Sequence, residues 1–335
     1  MQPPNSPSRH NAVAQKDVLV SVIVPAFNAA RTIGRALSSV GAQTHDAFEV
    51  IVIDDKSTDE TLAVLNAWTD FPITVVALEK NAGPAQARNA GLAAATGKYV
   101  AFLDADDEWL PEKTMLQAAA LQNNPEATLV VCDAACIDES GKTVAREFAD
   151  APPIQGADAW RTLLRYSFIA TPCVMVRRAL FDKVGMFDTS LSVAEDQDMW
   201  IRLALAGPVL VIDRPLVRIH VATASYMRTH ATWEARFLLP MIERHMTQQR
   251  DRLSPAEWRE MLGTRLSQIG RNAYTGGAPA VGARLLLRAA ASGHAPVGQL
   301  LFLLHASRPG RALKQLLRRD GSRQSSTRPA NGSAS

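Results

Sequence analysis

Three carboxylates crowd into four positions, Asp104-Ala105-Asp106-Asp107, directly after the apolar run Tyr99 to Leu103. Carboxylates packed this closely repel one another, and without a counter-charge at least one is driven toward its neutral form. A divalent cation removes that cost, and hard oxygen ligands suit Mn²⁺ or Mg²⁺. The run before them is continuous and free of breakers, which predicts a buried strand. Ligands of open α/β sheets sit outside the carboxyl ends of the strands. Position and residue type therefore agree on a site for a metal and a phosphorylated ligand. A plainer role stays open, because Asp is a good N-cap and Trp109-Leu110-Pro111 follows.

Two further acidic segments have the same character. Phe48 to Ile53 reads as a strand and ends in Asp54-Asp55-Lys56-Ser57-Thr58-Asp59-Glu60-Thr61. Thr58 and Asp59 can cap the helix that follows. Asp54 and Asp55 precede the cap, where a carboxylate can accept hydrogen bonds from a base N–H or ribose hydroxyls. The spacing lacks the Gly and terminal Glu of a calcium loop. The second segment, Glu195-Asp196-Gln197-Asp198-Met199-Trp200, opens a helix running to Ala206. Acids in a first turn stabilise the helix dipole; the sharper reading has Asp196 facing a cleft, free to take a proton, with Glu195 and Asp198 as local alternatives. His220 ends a strand-like piece before a small-residue loop containing Thr223 and Ser225. Arg88 and Asn89 lie one turn into a helix opened by Gly83-Pro84, and Arg88 can pair with a phosphate or with the carboxylates.

The elements that must position these groups alternate. Val18 to Val24, Phe48 to Ile53, Ile73 to Leu78 and Tyr99 to Leu103 read as strands, separated by helices from about Ala30 to Val40, up to Trp68 and up to Gly97. That is a parallel, doubly wound half-sheet. The rhythm then becomes mixed: a helix Glu112 to Asn123, a strand Thr128 to Cys132, a hairpin around Ser140-Gly141, a strand Thr171 to Val176, a short helix Arg177 to Val184, and two strand-like pieces, Val209 to Ile212 and Leu216 to Ile219. Pro25-Ala26-Phe27-Asn28 stands where a dinucleotide-binding fold would carry GxGxxG, and no GxxxxGK[ST] occurs. These absences argue against nicotinamide, flavin and P-loop chemistry.

Composition narrows the class. The 335 residues are 47% hydrophobic and 21% charged, as in an ordinary globular protein. A net charge of +3 gives no argument for a nucleic-acid partner. Cys132, Cys136 and Cys173 are too sparse for a disulfide framework and fit a reducing compartment, the cytoplasm. No run approaches the ~20 apolar residues of a membrane span. The polar stretch Met1 to Lys16 has no apolar h-region and reads as a disordered lead, as does the Ser-, Arg- and Gly-rich stretch Asp320 to Ser335 as a tail.

The ordered set PAFNA, IDDKSTDET, NAGPAQARNAG and FLDADDEW resembles the family 2 glycosyltransferases of the GT-A fold, over roughly Val18 to Ser225. The resemblance implies a GT-A domain at 17–228, with a nucleotide-binding half at 17–110 and an acceptor half at 111–228, then a helical extension at 229–319. It implies that Pro25, Phe27 and Asn28 line the donor's base pocket and that Asp55 meets the base. Asp104 would meet the ribose or sugar, Asp106 the metal, and Arg88 the donor. Glu195 and Trp200 would lie on the acceptor side, Asp196 would be the catalytic base, and His220 would contact the metal or diphosphate. The activity implied is inverting transfer from a nucleotide-sugar, a UDP-sugar first, to a saccharide or lipid-linked acceptor in polysaccharide or glycoconjugate synthesis. The alternative is a non-catalytic nucleotide-sugar-binding protein of the same fold. A sugar nucleotidyltransferase would call for glycines that Pro25 to Arg31 lacks. Beyond Thr229 only helices are expected: Thr232 to Gln248, Pro255 to Tyr274, Pro279 to Ser292, Pro296 to Ala306 and Pro309 to Arg319. The apolar stretch Leu300 to Leu304 precedes Arg308, Arg311, Lys314, Arg318 and Arg319. This reads as a packed helix with a solvated basic face, or as a surface resting on anionic lipid at the inner face of the membrane.

Overall fold

The computed structural model describes residues 18–149, 151–152, 154–221, 232–295, 298–299 and 301–303. The chain divides into two compact units, residues 1–227 and 228–335. In the first, β1 (Val20–Ala26), α1 (Ile33–Gly41), β2 (Phe48–Asp54), α2 (Thr61–Asn66), β3 (Thr74–Ala77), α3 (Gly83–Ala94) and β4 (Tyr99–Phe102) follow in strict alternation. β1 pairs in parallel with both β2 and β4, and β2 in parallel with β3. Val20, Val22, Ile23 and Val24 of β1 are all fully buried. A strand covered on both faces must be apolar throughout rather than alternating, which is why these runs are so legible.

The rest of the first unit adds β5 (Glu108–Trp109), α4 (Lys113–Asn123), β6 (Leu129–Ile137), β7 (Thr143–Arg146), α5 (Ala159–Arg165), β8 (Val174–Arg177), α6 (Phe181–Val184), α7 (Glu195–Ala206) and β9 (Val209–His220). Strand order across the sheet is β3-β2-β1-β4-β8-β6-β9-β5, with β7 hairpinned to β6. β8 runs antiparallel to β4 and β6, so the sheet is mixed beyond β4. The result is an α/β unit whose parallel half is extended by antiparallel strands.

Three expectations are corrected. The two pieces before His220 are one strand, β9, whose register against β6 jumps between Cys132↔Ile212 and Asp133↔Pro215. Asp213 and Arg214 are extruded as a bulge, and Pro215, which has no N–H to give the ladder, sits where bulges tolerate it. Thr171–Cys173 is a tight helical turn around Pro172, and only from Val174 does the chain extend. α1 starts at Ile33 instead of Ala30, because the Ala29 and Ala30 N–H groups donate to Thr61 Oγ1 and Asp59 Oδ2 at 2.8 and 3.1 Å.

The second unit is helical. A wide π turn over Glu234–Leu238 leads into α8 (Leu239–Gln248), followed by α9 (Pro255–Thr275) and α10 (Pro279–Ala291). Pro240 accounts for the wide turn that replaces the regular helix expected here, since its ring has no N–H for the carbonyl one turn back. α9 begins with a capping box: Ser254 Oγ accepts from the Glu257 N–H, and Glu257 returns the contact to the Ser254 N–H. α9 and α10 approach closely at Gly270 and Gly282, where a Cβ on Gly282 would lie 2.6 Å from the Gly270 carbonyl oxygen. Among the described residues no helix is long and apolar enough to cross a membrane. The expected loop with Thr223 and Ser225, the helix expected at 309–319 and both terminal segments lie outside the described residues, as does most of 296–306.

Candidate active site

The carboxyl ends of β1, β2 and β4 lie side by side, and the acidic segments meet there. Arg88 of α3 is at their centre. Its Nη2 donates to Asp104 Oδ1 at 3.2 Å and its Nη1 to Glu195 Oε1 at 2.6 Å. Arg88 is only 5% exposed. Burial works against its charge, but the fields of Asp104, Glu195 and Asp196 outweigh burial and raise its pKa. One buried cation thus ties the loop after β4 to the first turn of α7. Asn89, the next residue, clamps the segment before α7: its amide donates to the Phe187 carbonyl and accepts from the Phe187 N–H, both at 2.9 Å.

Asp196 follows Glu195 and is half-buried. It accepts from Thr171 Oγ1 at 3.2 Å and from the Gln197 N–H at 2.6 Å. Burial, then repulsion from Glu195, pushes its carboxyl up to about 6, with Arg88 and the Gln197 N–H pulling the other way. A carboxylate tuned toward neutrality is a chemically usable base.

The aspartates after β4 diverge in role. Asp107 is buried, and its Oδ1 accepts from the His220 N–H at 3.0 Å. Burial and the charges of Asp104 and Asp106 push it up to about 8. Asp106 is raised too, by burial and Asp104, against the pull of Arg35 and His220. This is the unrelieved repulsion that the spacing predicts, and it suits a cation. Among the described residues no third ligand-type side chain joins them in a ready-made metal cluster. His220, expected at the metal, turns its Nε2 to Glu108 Oε1 at 2.6 Å.

Glu108 and Arg35 were not foreseen. Glu108 collects His220, Arg35 Nε at 3.3 Å and Arg218 Nη1 at 3.7 Å. Arg35 also donates to the Asp106 carbonyl at 2.5 Å, fixing the acidic loop to α1. Seventy-one residues separate that pair, so nothing in local spacing announces it.

On the base side, Phe27 remains 49% exposed and Pro25 half-buried. Asn28 adopts a left-handed backbone (φ 51) and accepts from the Thr58 N–H at 2.8 Å, joining the loops after β1 and β2. Asp55 is engaged by the chain itself. Its two oxygens accept the Ala82 and Gly83 N–H groups, both at 2.8 Å, and it is 4% exposed. It neutralises the N-terminus of α3, where Gly83 takes a φ of +83. Trp200 is corrected. It is fully buried, packed at 6.0 Å from Phe102 and 6.1 Å from Phe187, and offers an acceptor no surface. Glu195 also turns inward to Arg88 and is buried.

Residues 21–185 match the family described as Glycosyl transferase family 2. An uncharacterized glycosyltransferase of Nostoc sp. is 34% identical over 229 residues, covering 64% of this chain and 69% of its own. A UDP-Glc:alpha-D-GlcNAc-diphosphoundecaprenol beta-1,3-glucosyltransferase of Escherichia coli is 40% identical over 108 residues, 32% of this chain and 43% of its own. The mannosyltransferase PcManGT of Pyrobaculum calidifontis, in complex with GDP-Man and Mn²⁺, shares the fold at a TM-score of 0.57 and 23% identity. That alignment covers 88% of this chain and 83% of PcManGT. The chain spans 62% of the length of one curated relative and 35% of another. On the Nostoc relationship and the family match together, the chain belongs to glycosyltransferase family 2.

Proposed function

We propose that the chain transfers a sugar, with inversion, from a UDP-sugar to a hydroxyl of a saccharide or lipid-linked acceptor, in polysaccharide or glycoconjugate synthesis. The observation that carries this reading is the Arg88 bridge, which holds Asp104 and the Glu195-Asp196 turn on either side of one guanidinium. The Escherichia coli relative's UDP-Glc donor and diphosphoundecaprenol-linked acceptor support the donor and acceptor classes.

Phe27 offers its exposed ring, and Pro25 and Asn28 the adjoining backbone, to the base. Asp104 meets the ribose or sugar. Asp106, with its carboxyl raised by burial and Asp104, and His220, here turned to Glu108, are the residues that would hold Mn²⁺ or Mg²⁺. When bound, such a cation would supply neutralising charge for the departing diphosphate. Asp196 takes the proton from the acceptor hydroxyl as that oxygen attacks the anomeric carbon from the face opposite the leaving group, so one displacement inverts the centre. Arg88 keeps Glu195 and Asp104 from facing each other unpaired.

Two variants test the assignment. Asp196→Asn lowers UDP-sugar transfer about 10²–10⁴-fold while UDP affinity, read by calorimetry with Mn²⁺, stays near wild type. Asp106→Ala weakens Mn²⁺-dependent UDP binding by roughly tenfold or more. Transfer left intact by both substitutions refutes the assignment. Wild-type protein that binds UDP with Mn²⁺ but releases none from any UDP-sugar is a binding protein instead.

A further inference from the structure

Behind the site lies a polar cluster that the proposed chemistry does not use. Lys113 of α4 is fully buried, with its Nζ 3.9 Å from the centre of the Trp109 ring. Among the described residues its only hydrogen-bond partner is Gln117 Oε1 at 2.8 Å, and no carboxylate pairs with it. A buried ammonium without an anion is costly, so its neighbours matter. They are two thiols, Cys132 and Cys173, both fully buried.

The turn before β8 brings these cysteines together. β6 and β8 pair antiparallel as Leu129↔Val176, Val130↔Met175 and Val131↔Val174, and Cys173, the last residue of the turn around Pro172, comes just before this ladder. Cys132 and Cys173 bury into the same core cluster, and the Cys132 thiol donates to the Cys173 carbonyl oxygen at 3.5 Å. Burial raises the Cys132 thiol, but the contact with Cys173 and the charge of Lys113 together bring it below its ordinary pKa. Burial in turn lowers Lys113 to about 8. Cys173 is raised, by the contact with Cys132 first and then by burial. Lys113 reaches this pair through Gln117, whose Nε2 donates to the Cys173 carbonyl at 2.7 Å, and a cation there favours the thiolate that attacks.

We propose that Cys132 and Cys173 are a reversible redox modification site, in which Lys113 holds the Cys132 sulfur ready to attack a hydroperoxide and Cys173 closes the disulfide. The Cys132 thiolate attacks one peroxide oxygen, the O–O bond breaks, and hydroxide leaves to take a proton from solvent. The resulting sulfenic acid is attacked by the Cys173 sulfur: the S–S bond forms, the S–O bond breaks, and the Cys173 proton leaves with the oxygen as water. Two electrons pass from the thiols to the peroxide, and an external dithiol returns them. A transient, sensing disulfide is the kind a reducing compartment allows. Both residues are buried, so a molecule as small as hydrogen peroxide reaches them by local opening of the turn at Thr171–Cys173. It also adjoins the proposed site: Cys173 is two residues from Thr171, which donates to Asp196.

The test is a bond map of the full chain. Native protein is exposed to hydrogen peroxide, its free thiols are blocked with N-ethylmaleimide under denaturant, and unreduced peptides are read by mass spectrometry. The expected product joins the Cys132 and Cys173 peptides, lighter by two hydrogens than their sum. It vanishes with dithiothreitol, while the half-buried Cys136 stays alkylated. In Lys113→Met the bond forms about tenfold more slowly. Linkage of either cysteine to Cys136, or peroxide that oxidises Cys136 while Cys132 and Cys173 remain free thiols, overturns the proposal. The wild-type map decides even where the Lys113 variant does not fold. A folded Lys113→Met that closes the bond at the wild-type rate removes Lys113 from it.

Discussion

Asp196 holds its proton up to about pH 6 because burial and Glu195 both disfavour the charged carboxylate. As the proposed base it must be ionised, so transfer at saturating substrate should fall tenfold per pH unit below about 6 and level off above it. A pH–kcat profile checks this, and a profile flat down to pH 5 would remove Asp196 from the proton transfer. The same shift has a stability consequence of definite sign. The folded pKa lies above the unfolded one, so the native state binds the proton more tightly. That contribution is fully present below the unfolded pKa and is lost as pH rises through about 6. At pH 7.5 Asp196→Asn should therefore be more stable than wild type, by about 1–2 kcal/mol, and the gain should vanish near pH 4. Urea titrations at the two pH values read the difference. The acids themselves were legible in the sequence, because a cluster of Asp after an apolar run is a local signal. Their partners were not. Arg88 and Glu195 are 107 residues apart, and which of its two anticipated partners Arg88 takes depends on how α7 returns to β4. Trp200 was misread for a related reason. Its place on the acceptor side rested on the resemblance alone, and only packing against Phe102 and Phe187 reveals a core residue.

At the scale of elements, legibility tracks how much of the pattern is local. β1, β2 and β4 are covered on both faces, so each announces itself as an unbroken apolar run. β9 is harder, because Pro215 and the bulged Asp213-Arg214 split one strand into two fragments of sequence. β5 is only two residues long and exists because β9 pairs with it, so no window of sequence could carry it. In the helical unit the Pro residues at the first helical positions mark α9 and α10 correctly, whereas the α9–α10 approach is invisible until the helices meet. That contact rests on two glycines, and the added methyl of Gly282→Ala would lie 2.5 Å from the Tyr274 backbone nitrogen. The helices must then separate, and overpacking of this kind costs about 1–3 kcal/mol. Chemical denaturation of the variant should show its midpoint lowered. Because residues 228–335 form their own compact unit, UDP binding with Mn²⁺ at low denaturant should be unchanged. An unaltered midpoint would show that the helices have room to spare.

For the molecule as a whole, the family and the α/β architecture follow from four short motifs in order, while the setting in which it works depends on the remainder. The proposed lipid-linked acceptor sits in a membrane, and among the described residues no helix can cross one. We propose that the strongest basic run of the chain, Arg308, Arg311, Lys314, Arg318 and Arg319, brings acceptor and cleft together. Each Lys or Arg near an anionic surface contributes about 1 kcal/mol, attenuated within a Debye length of roughly 8 Å at physiological salt. Five such residues suffice for reversible binding at low salt and for release at high salt. The full chain should therefore co-sediment with phosphatidylglycerol vesicles at 50 mM salt, about tenfold less at 500 mM, and not with neutral phosphatidylcholine vesicles. Deleting residues 309–335 should abolish sedimentation without altering UDP affinity. If the full chain stays in the supernatant at low salt, the basic run is only a solvated face, and the acceptor must reach the cleft without help from the lipid surface.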